Sequence, residues 1–275
     1  MTEPVPDVKR IEDYENATWS RCAAGYRDGF GVLVAGALPD LLDAVDARAG
    51  ARVLDVGTGT GLAAGAAQAR GAEVTGVDFA PAMIDLARAA APAIDFRIAP
   101  ADALPFANDH FDAVVGNFVL HHCARPDAVL REALRVLRPG GRVGMTVWGE
   151  IAQLEAFGLF FAAVGEHVGV PELPHGPLFG VADPAALGDL LRAAGFDAVA
   201  VRELPLVWQT PTLAPYLAAF ASWADTDALP ADTRAAIERS VTATAERFRT
   251  SRGFELPNPA LLLSARKPAD AAVRT

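Results

Sequence analysis

Arg52-Val-Leu-Asp-Val-Gly-Thr-Gly-Thr-Gly61 decides the fold. A short apolar run carries an aspartate, and glycines then stand at positions 57, 59 and 61. Glycine accepts positive φ and lets a ligand approach the backbone, so the stretch predicts a strand, a tight turn and the start of a helix. That helix is the alanine-rich segment 60–70, closed by Gly71 as its C-terminal cap. A strand-turn-helix unit of this kind places a binding crevice at the carboxyl ends of a parallel sheet. A tight turn without a ligand needs fewer glycines than these three.

Strand-like and helix-like patterns alternate outward from this unit, which predicts βαβ units and an α/β fold. Strands are read at 52–56, 73–78, 95–98, 111–116 and 142–148. Pro81 opens a helix with Met83, Ile84 and Ala87 on one face. Pro126 opens another, in which Leu130, Leu134 and Leu137 recur, and Pro139-Gly140-Gly141 ends it. Before this core, residues 13–46 read as two or three helices broken near Gly29, Gly31 and Pro39. After it come helices at 151–168 and 183–194, one long strand at 198–208, helices at 211–223 and 232–248, and a last strand at 259–265. The outer helices carry apolar and aromatic faces, including Trp19, Tyr26, Phe30, Phe157, Phe161 and Trp223. Most of these pack on the sheet; some are assigned to a cover over a pocket. The chain is read as one structural domain with an N-terminal helical cover (1–50), a core (51–150) and a completion of the sheet carrying inserted helices (151–275).

Composition limits the partners. The 275 residues carry a formal net charge of −10 without a dense basic run, which argues against nucleic acid. No run of about 18 uncharged apolar residues marks a membrane span. The first fifteen residues lack the character of a signal or transit peptide, so a cytoplasmic location is expected. Cys22 and Cys123 form neither a disulfide framework nor a metal-ligand pattern, and no metal is expected.

A dinucleotide fingerprint counted from Gly57 and Gly59 requires a third glycine at position 62, which is Leu62. A carboxylate at the strand end would also repel a pyrophosphate. Asp55 therefore points to a ligand with a cation near the loop. Asp78 ends the second strand, where a carboxylate can accept from both hydroxyls of a ribose; Phe79 would lie against a base, with Met83 behind it. Asp102, after the third strand, either accepts from an exocyclic amino group or caps a turn, and both readings stand. An ammonium, a ribose and an amino-purine without phosphate describe S-adenosylmethionine.

VLDVGTGTG, VTGVDFAPAMIDLAR, ADALPF, FDAVVGNFVLHH and LREALRVLRPGGRVGMTVW follow one another here in the order seen in class I S-adenosylmethionine-dependent methyltransferases. The chain most resembles the quinone-biosynthesis-type branch, strongly over 52–148. The resemblance implies a seven-stranded Rossmann-like sheet, flanked by helices, whose last strand is antiparallel. It also implies that Asp55, Gly57, Thr58 and Gly59 hold the methionine end, Asp78 the ribose, Asp102 and Ala103 the adenine, and Asn117 with Phe118 the sulfonium side. Tyr26 resembles a residue that closes over the cofactor. The product would be S-adenosylhomocysteine.

Methyl transfer from a sulfonium is an in-line displacement, so the protein aligns the nucleophile and excludes water. Where the acceptor must lose a proton, histidine is the natural base. His121 and His122 follow the fourth strand and Glu150 follows the fifth; each has a catalytic reading and a bland one, as a packed or solvated turn. His167 and His175 are read as surface residues, and residues 171–177 as a turn-rich surface connector. The expected activity is methylation of an O, N or C nucleophile on a small, largely apolar metabolite. A cofactor-binding protein of the same fold, binding only or catalysing a non-methylating reaction such as cyclisation, is the alternative.

Overall fold

The computed structural model describes residues 8–169, 174–178 and 180–269. Ten strands are described: β1 (Arg52–Val56), β2 (Glu73–Asp78), β3 (Asp95–Ile98), β4 (Phe111–Asn117), β5 (Leu137–Trp148), β6 (Asp197–Leu204), β7 (Val207–Thr210), β8 (Arg249–Thr250), β9 (Gly253–Pro257) and β10 (Ala260–Arg266). Seven of them form the main sheet in the order β3-β2-β1-β4-β5-β10-β6. Strands β1 to β5 pair in parallel, and β10 runs antiparallel between β5 and β6. This is the expected Rossmann-like sheet with its reversed last strand. The chain leaves β1 for β2 on one side and meets β4 on the other, so a crevice opens at the carboxyl ends of β1 and β4.

The apolar runs of β1 and β4 are buried on both faces, as a central parallel strand requires. Two layers of helices cover them. On one face lie α2 (Phe30–Ala35), α3 (Leu38–Ala44), α4 (Leu62–Ala69) and α7 (Glu155–His167); on the other lie α6 (Pro126–Val136) and α8 (Pro184–Ala193), whose Leu130 and Leu187 are fully buried there. Helix α5 (Pro81–Ala90) buries Met83, Ile84 and Ala87, the face read from the sequence. Helix α1 (Val8–Cys22) lies against α5 and α9 (Ala214–Trp223), and α10 (Ala231–Ala245) packs behind α7. None of the described helices is long and apolar enough to cross a membrane.

Three expectations need correction. The single strand read at 198–208 is two strands in different sheets. Pro205 has no N–H for a ladder and restricts Leu204, and Leu206 N–H turns back onto Leu204 O at 2.9 Å. Strand β7 then joins β9 and β8 in a small antiparallel sheet that the sequence did not announce. Strand β5 begins at Leu137 rather than 142, because Leu137 already pairs with Phe111 ahead of an irregularity that absorbs Pro139-Gly140-Gly141. The helix read at 151–168 is a 3-10 turn followed by α7.

Candidate active site

The turn after β1 uses its glycines in different ways. Gly57, Gly59 and Gly61 all have positive φ, at 65°, 53° and 81°. A Cβ on Gly57 would collide with the Val119 side chain, so that glycine lets the segment after β4 close on the loop. A Cβ on Gly59 would meet nothing within 4 Å, which leaves the middle of the loop open.

Asp55 lies beneath this loop, 1% exposed. One oxygen accepts from Thr58 Oγ1 at 2.7 Å and from Ala64 N–H at 2.9 Å; the other is buried with no partner among the described residues. Burial pushes the carboxyl up to about 7, against the two hydrogen bonds, and the nearby Asp78 adds to the rise. Through that one oxygen Asp55 braces the loop from within, and Thr58 is part of the brace.

Asp78 bridges two turns. Its Oδ2 accepts from Gly59 N–H and its Oδ1 from Ala80 N–H, each at 2.9 Å. Each oxygen keeps a second lone pair for another donor. Burial raises its carboxyl, opposed by the backbone donors. Tyr26 stands over the same acids: its hydroxyl is raised by burial and then by the charges of Asp78 and Asp55. Met83 packs in a small cluster with Trp19 and Tyr26, and Phe79 is half-buried beside it. Asp102 pairs with Arg125 at 2.6 Å, and Arg125 also reaches Glu12 of α1 at 3.7 Å; Ala103 is exposed.

Asn117 and Phe118 end β4 in a fixed arrangement. Asn117 donates to Val34 O at 3.1 Å and accepts from Thr146 Oγ1 at 2.8 Å, while Phe118 N–H donates to that hydroxyl at 2.9 Å. Phe118 holds φ +59°, a left-handed conformation that costs a bulky residue roughly 1–3 kcal/mol. The Thr146 hydroxyl holds the strained turn in place.

A cavity of about 430 Å³ opens at this end of the sheet. Its wall joins Trp19, Tyr26 and Phe30 of the N-terminal segment to Phe118, Trp148, Phe157, Phe161 and Trp223. Phe118 and Trp148 lie 4.1 Å apart between ring centres, and Phe157 meets Trp148 edge-on at 5.1 Å.

His121, His122 and His175 are polar members of this largely apolar wall. His121 is 3% exposed and neither ring nitrogen has a partner among the described residues. Burial, then the neighbouring His122, holds it well below the usual imidazole range, so it is neutral. His122 Nδ1 lies 3.1 Å from Glu15 Oε1, and Glu15 Oε2 accepts from Trp19 Nε1 at 2.9 Å. Glu150 is exposed and is not part of the wall, although Trp148 and Ile151 on either side of it are, a correction to its catalytic reading. His167 is paired with Ser240 of α10. His175 was read as a surface residue, yet it also lines the cavity; residues 171–173 of its connector lie outside the described residues.

Glu15, Arg27 and Thr146 were missed from the sequence. Arg27 donates to Thr60 O in the glycine loop at 2.6 Å. Glu15 carried a signal, because it falls on the buried stripe Ile11, Glu15, Thr18, Cys22 of α1. An acid on such a stripe needs partners. Arg27 and Thr146 carried none that pattern reading detects.

Residues 54–145 match the family model described as a methyltransferase domain. The match covers most of the α/β core. The chain is 42% identical over 103 residues to a demethylmenaquinone methyltransferase of Renibacterium salmoninarum, covering 38% of this chain and 44% of that protein. It is 39% identical over 113 residues to a ubiquinone biosynthesis O-methyltransferase of Xanthomonas oryzae pv. oryzae, covering 38% and 47%. The chain thus spans less than half the length of these curated relatives. Two solved structures share the fold around the domain. The YcgJ protein of Bacillus subtilis has TM-score 0.57 at 20% identity over 84% of this chain and 98% of that one. A 1,6-didemethyltoxoflavin-N1-methyltransferase of Burkholderia thailandensis, solved with 1,6-didemethyltoxoflavin and S-adenosylhomocysteine, has TM-score 0.58 at 19% identity over 98% and 93%. No group of three His, Cys, Asp or Glu side chains among the described residues is placed to hold a metal ion.

Proposed function

We propose that the protein transfers a methyl group from S-adenosylmethionine to an O, N or C nucleophile of a small, largely apolar molecule held in the aromatic cavity. The observation that carries this reading is the junction of two unlike sites. An open glycine loop with Asp78 beside it meets an apolar cavity containing a buried, unpartnered imidazole, His121.

The crevice suits this cofactor. Gly59 leaves open space at the loop, the Asp78 carboxylate at its amide disfavours a diphosphate, and Asp78 retains acceptor capacity for ribose hydroxyls. Asp55, Gly57 and Thr58 shape and brace the loop. Arg27 brings a cation to its rim for a carboxylate. Phe79, Met83, Asp102 and Ala103 would receive the adenine, with Asp102 released from or shared with Arg125. Asn117, Phe118 and Tyr26 would line the sulfonium end.

The cofactor supplies an activated methyl group. The protein supplies alignment and dryness: the aromatic wall orients a flat acceptor and excludes water, and His121 offers it one N–H and one lone pair. The helical cover formed by residues 1–50 and by inserted segments within 151–275 would select the acceptor.

The test is incubation with methyl-labelled S-adenosylmethionine and a panel of phenols, amines and carbon acids. Label appearing in an acceptor together with S-adenosylhomocysteine is the expected result. Tight binding of S-adenosylhomocysteine without turnover on any member of the panel would overturn the transfer reading.

A further inference from the structure

We propose that Glu15, reaching in from the N-terminal helix, is a positioning residue that fixes His122 as the base that takes the acceptor's proton. The inference rests on the transferase reading of the cavity but on different atoms.

Glu15 is 6% exposed, and its two oxygens are divided between two side chains, Trp19 Nε1 and His122 Nδ1. Taking a carboxylate out of water is costly, and it is tolerated where donors replace the lost hydration. The chemistry of the contacts then sets the tautomer. Indole N–H only donates and a carboxylate only accepts, so the hydrogen between Glu15 and His122 sits on Nδ1. Nε2 is left bare, with no bond from any described residue, on a side chain that is 14% exposed and lines the cavity. Trp19 presses edge-on against the same imidazole at 5.0 Å and limits its rotation. His121, 4.2 Å away, is buried without a partner, so of the two imidazoles only His122 has a carboxylate to balance a gained charge.

In the transfer step, Nε2 takes the proton of the acceptor X–H as the X–C bond forms and the S–C bond breaks, its electron pair remaining on sulfur. The imidazolium is balanced by Glu15 and later gives its proton to water. The net change is X–H plus sulfonium to X–CH3 plus thioether plus a proton.

The titratable and charged groups around His122 are Glu15 from α1, His121 and Cys123 from its own turn, the Asp102–Arg125 pair beyond them, and His175, which also lines the cavity. Long-range ¹⁵N imidazole spectra of the protein between pH 5 and 9, assigned with His121→Asn and His122→Asn, isolate the role of Glu15 without any acceptor. The expected result is a His122 whose neutral form is the Nδ1–H tautomer, and a mixed tautomer in Glu15→Gln. Affinity for S-adenosylhomocysteine stays unchanged in that variant. His122 found as the Nε2–H tautomer in the unaltered protein overturns the assignment whether or not the variant folds. An unchanged spectrum in a folded Glu15→Gln does the same. Failure of the unaltered protein to bind S-adenosylhomocysteine would instead strike the cofactor reading.

Discussion

Asp78 shows how one carboxylate serves both fold and ligand. Its bonds to Gly59 and Ala80 N–H fix the loop's shape, and its remaining lone pairs face the ribose in the proposed complex. Asp78→Ala is expected to weaken S-adenosylhomocysteine binding by about 1.5–3 kcal/mol, read by calorimetry. Because two amides lose their acceptor, it also costs about 1–3 kcal/mol of stability; unchanged affinity would remove the ribose role. Asp55 allows a prediction in pH. Its carboxyl is raised from an ordinary 3.8 to about 7, so the folded state holds the proton more tightly than the unfolded chain does. The stabilisation is fully present below the unfolded value and is lost as pH rises towards 7, at most roughly 4 kcal/mol. Unfolding free energies in urea between pH 4 and 8 are expected to show this decline in the native protein relative to Asp55→Asn. Parallel curves for the two proteins would mean that Asp55 is not held protonated.

At the level of elements, the core was legible because its signals are local. The apolar run, the glycines after Val56 and the proline-opened helices at Pro81 and Pro126 fixed the order and type of β1 to β4, α5 and α6 nearly to the residue. Where long-range pairing decides, legibility failed. The start of β5 depends on Leu137 meeting Phe111, and β7 exists because β9 lies beside it. The site divides in the same way: Asp55 and Asp78 were visible as acids at strand ends, whereas the inward position of Asp55 and the partnership of Glu15 with His122, 107 residues apart, are products of packing. The cover shows the cost of such packing. Phe220 of α9 is fully buried among Phe30, Phe157, Phe160, Trp208 and Tyr216. Phe220→Ala is expected to cost about 3–5 kcal/mol in urea unfolding. Phe157→Ala, at the half-buried cavity wall, should cost less while enlarging the space for an acceptor; the reverse order would place the cover's core elsewhere.

For the whole molecule, the chain wraps a second layer of aromatic side chains around a core that needs little more than its own helices. Helix α1 is tied across the crevice at both ends of the chain's path: Arg21 donates to Ser222 O and Trp223 O, capping carbonyls at the end of α9, and Arg125 joins Asp102 to the Glu12 side of α1. A ligand bound beneath α1 therefore stabilises elements distant in sequence, and its identity is open to thermal measurement. At a concentration one hundred times its Kd, a ligand specific for the folded state contributes about 2.7 kcal/mol. For a chain of this size, S-adenosylhomocysteine is expected to raise Tm by roughly 5 °C. NADH should leave Tm unchanged, because the loop departs from the dinucleotide spacing at Leu62 and its Gly59 amide is already held by the Asp78 carboxylate. Stabilisation by NADH and not by S-adenosylhomocysteine would reverse the choice of cofactor and, with it, the reading of Asp78.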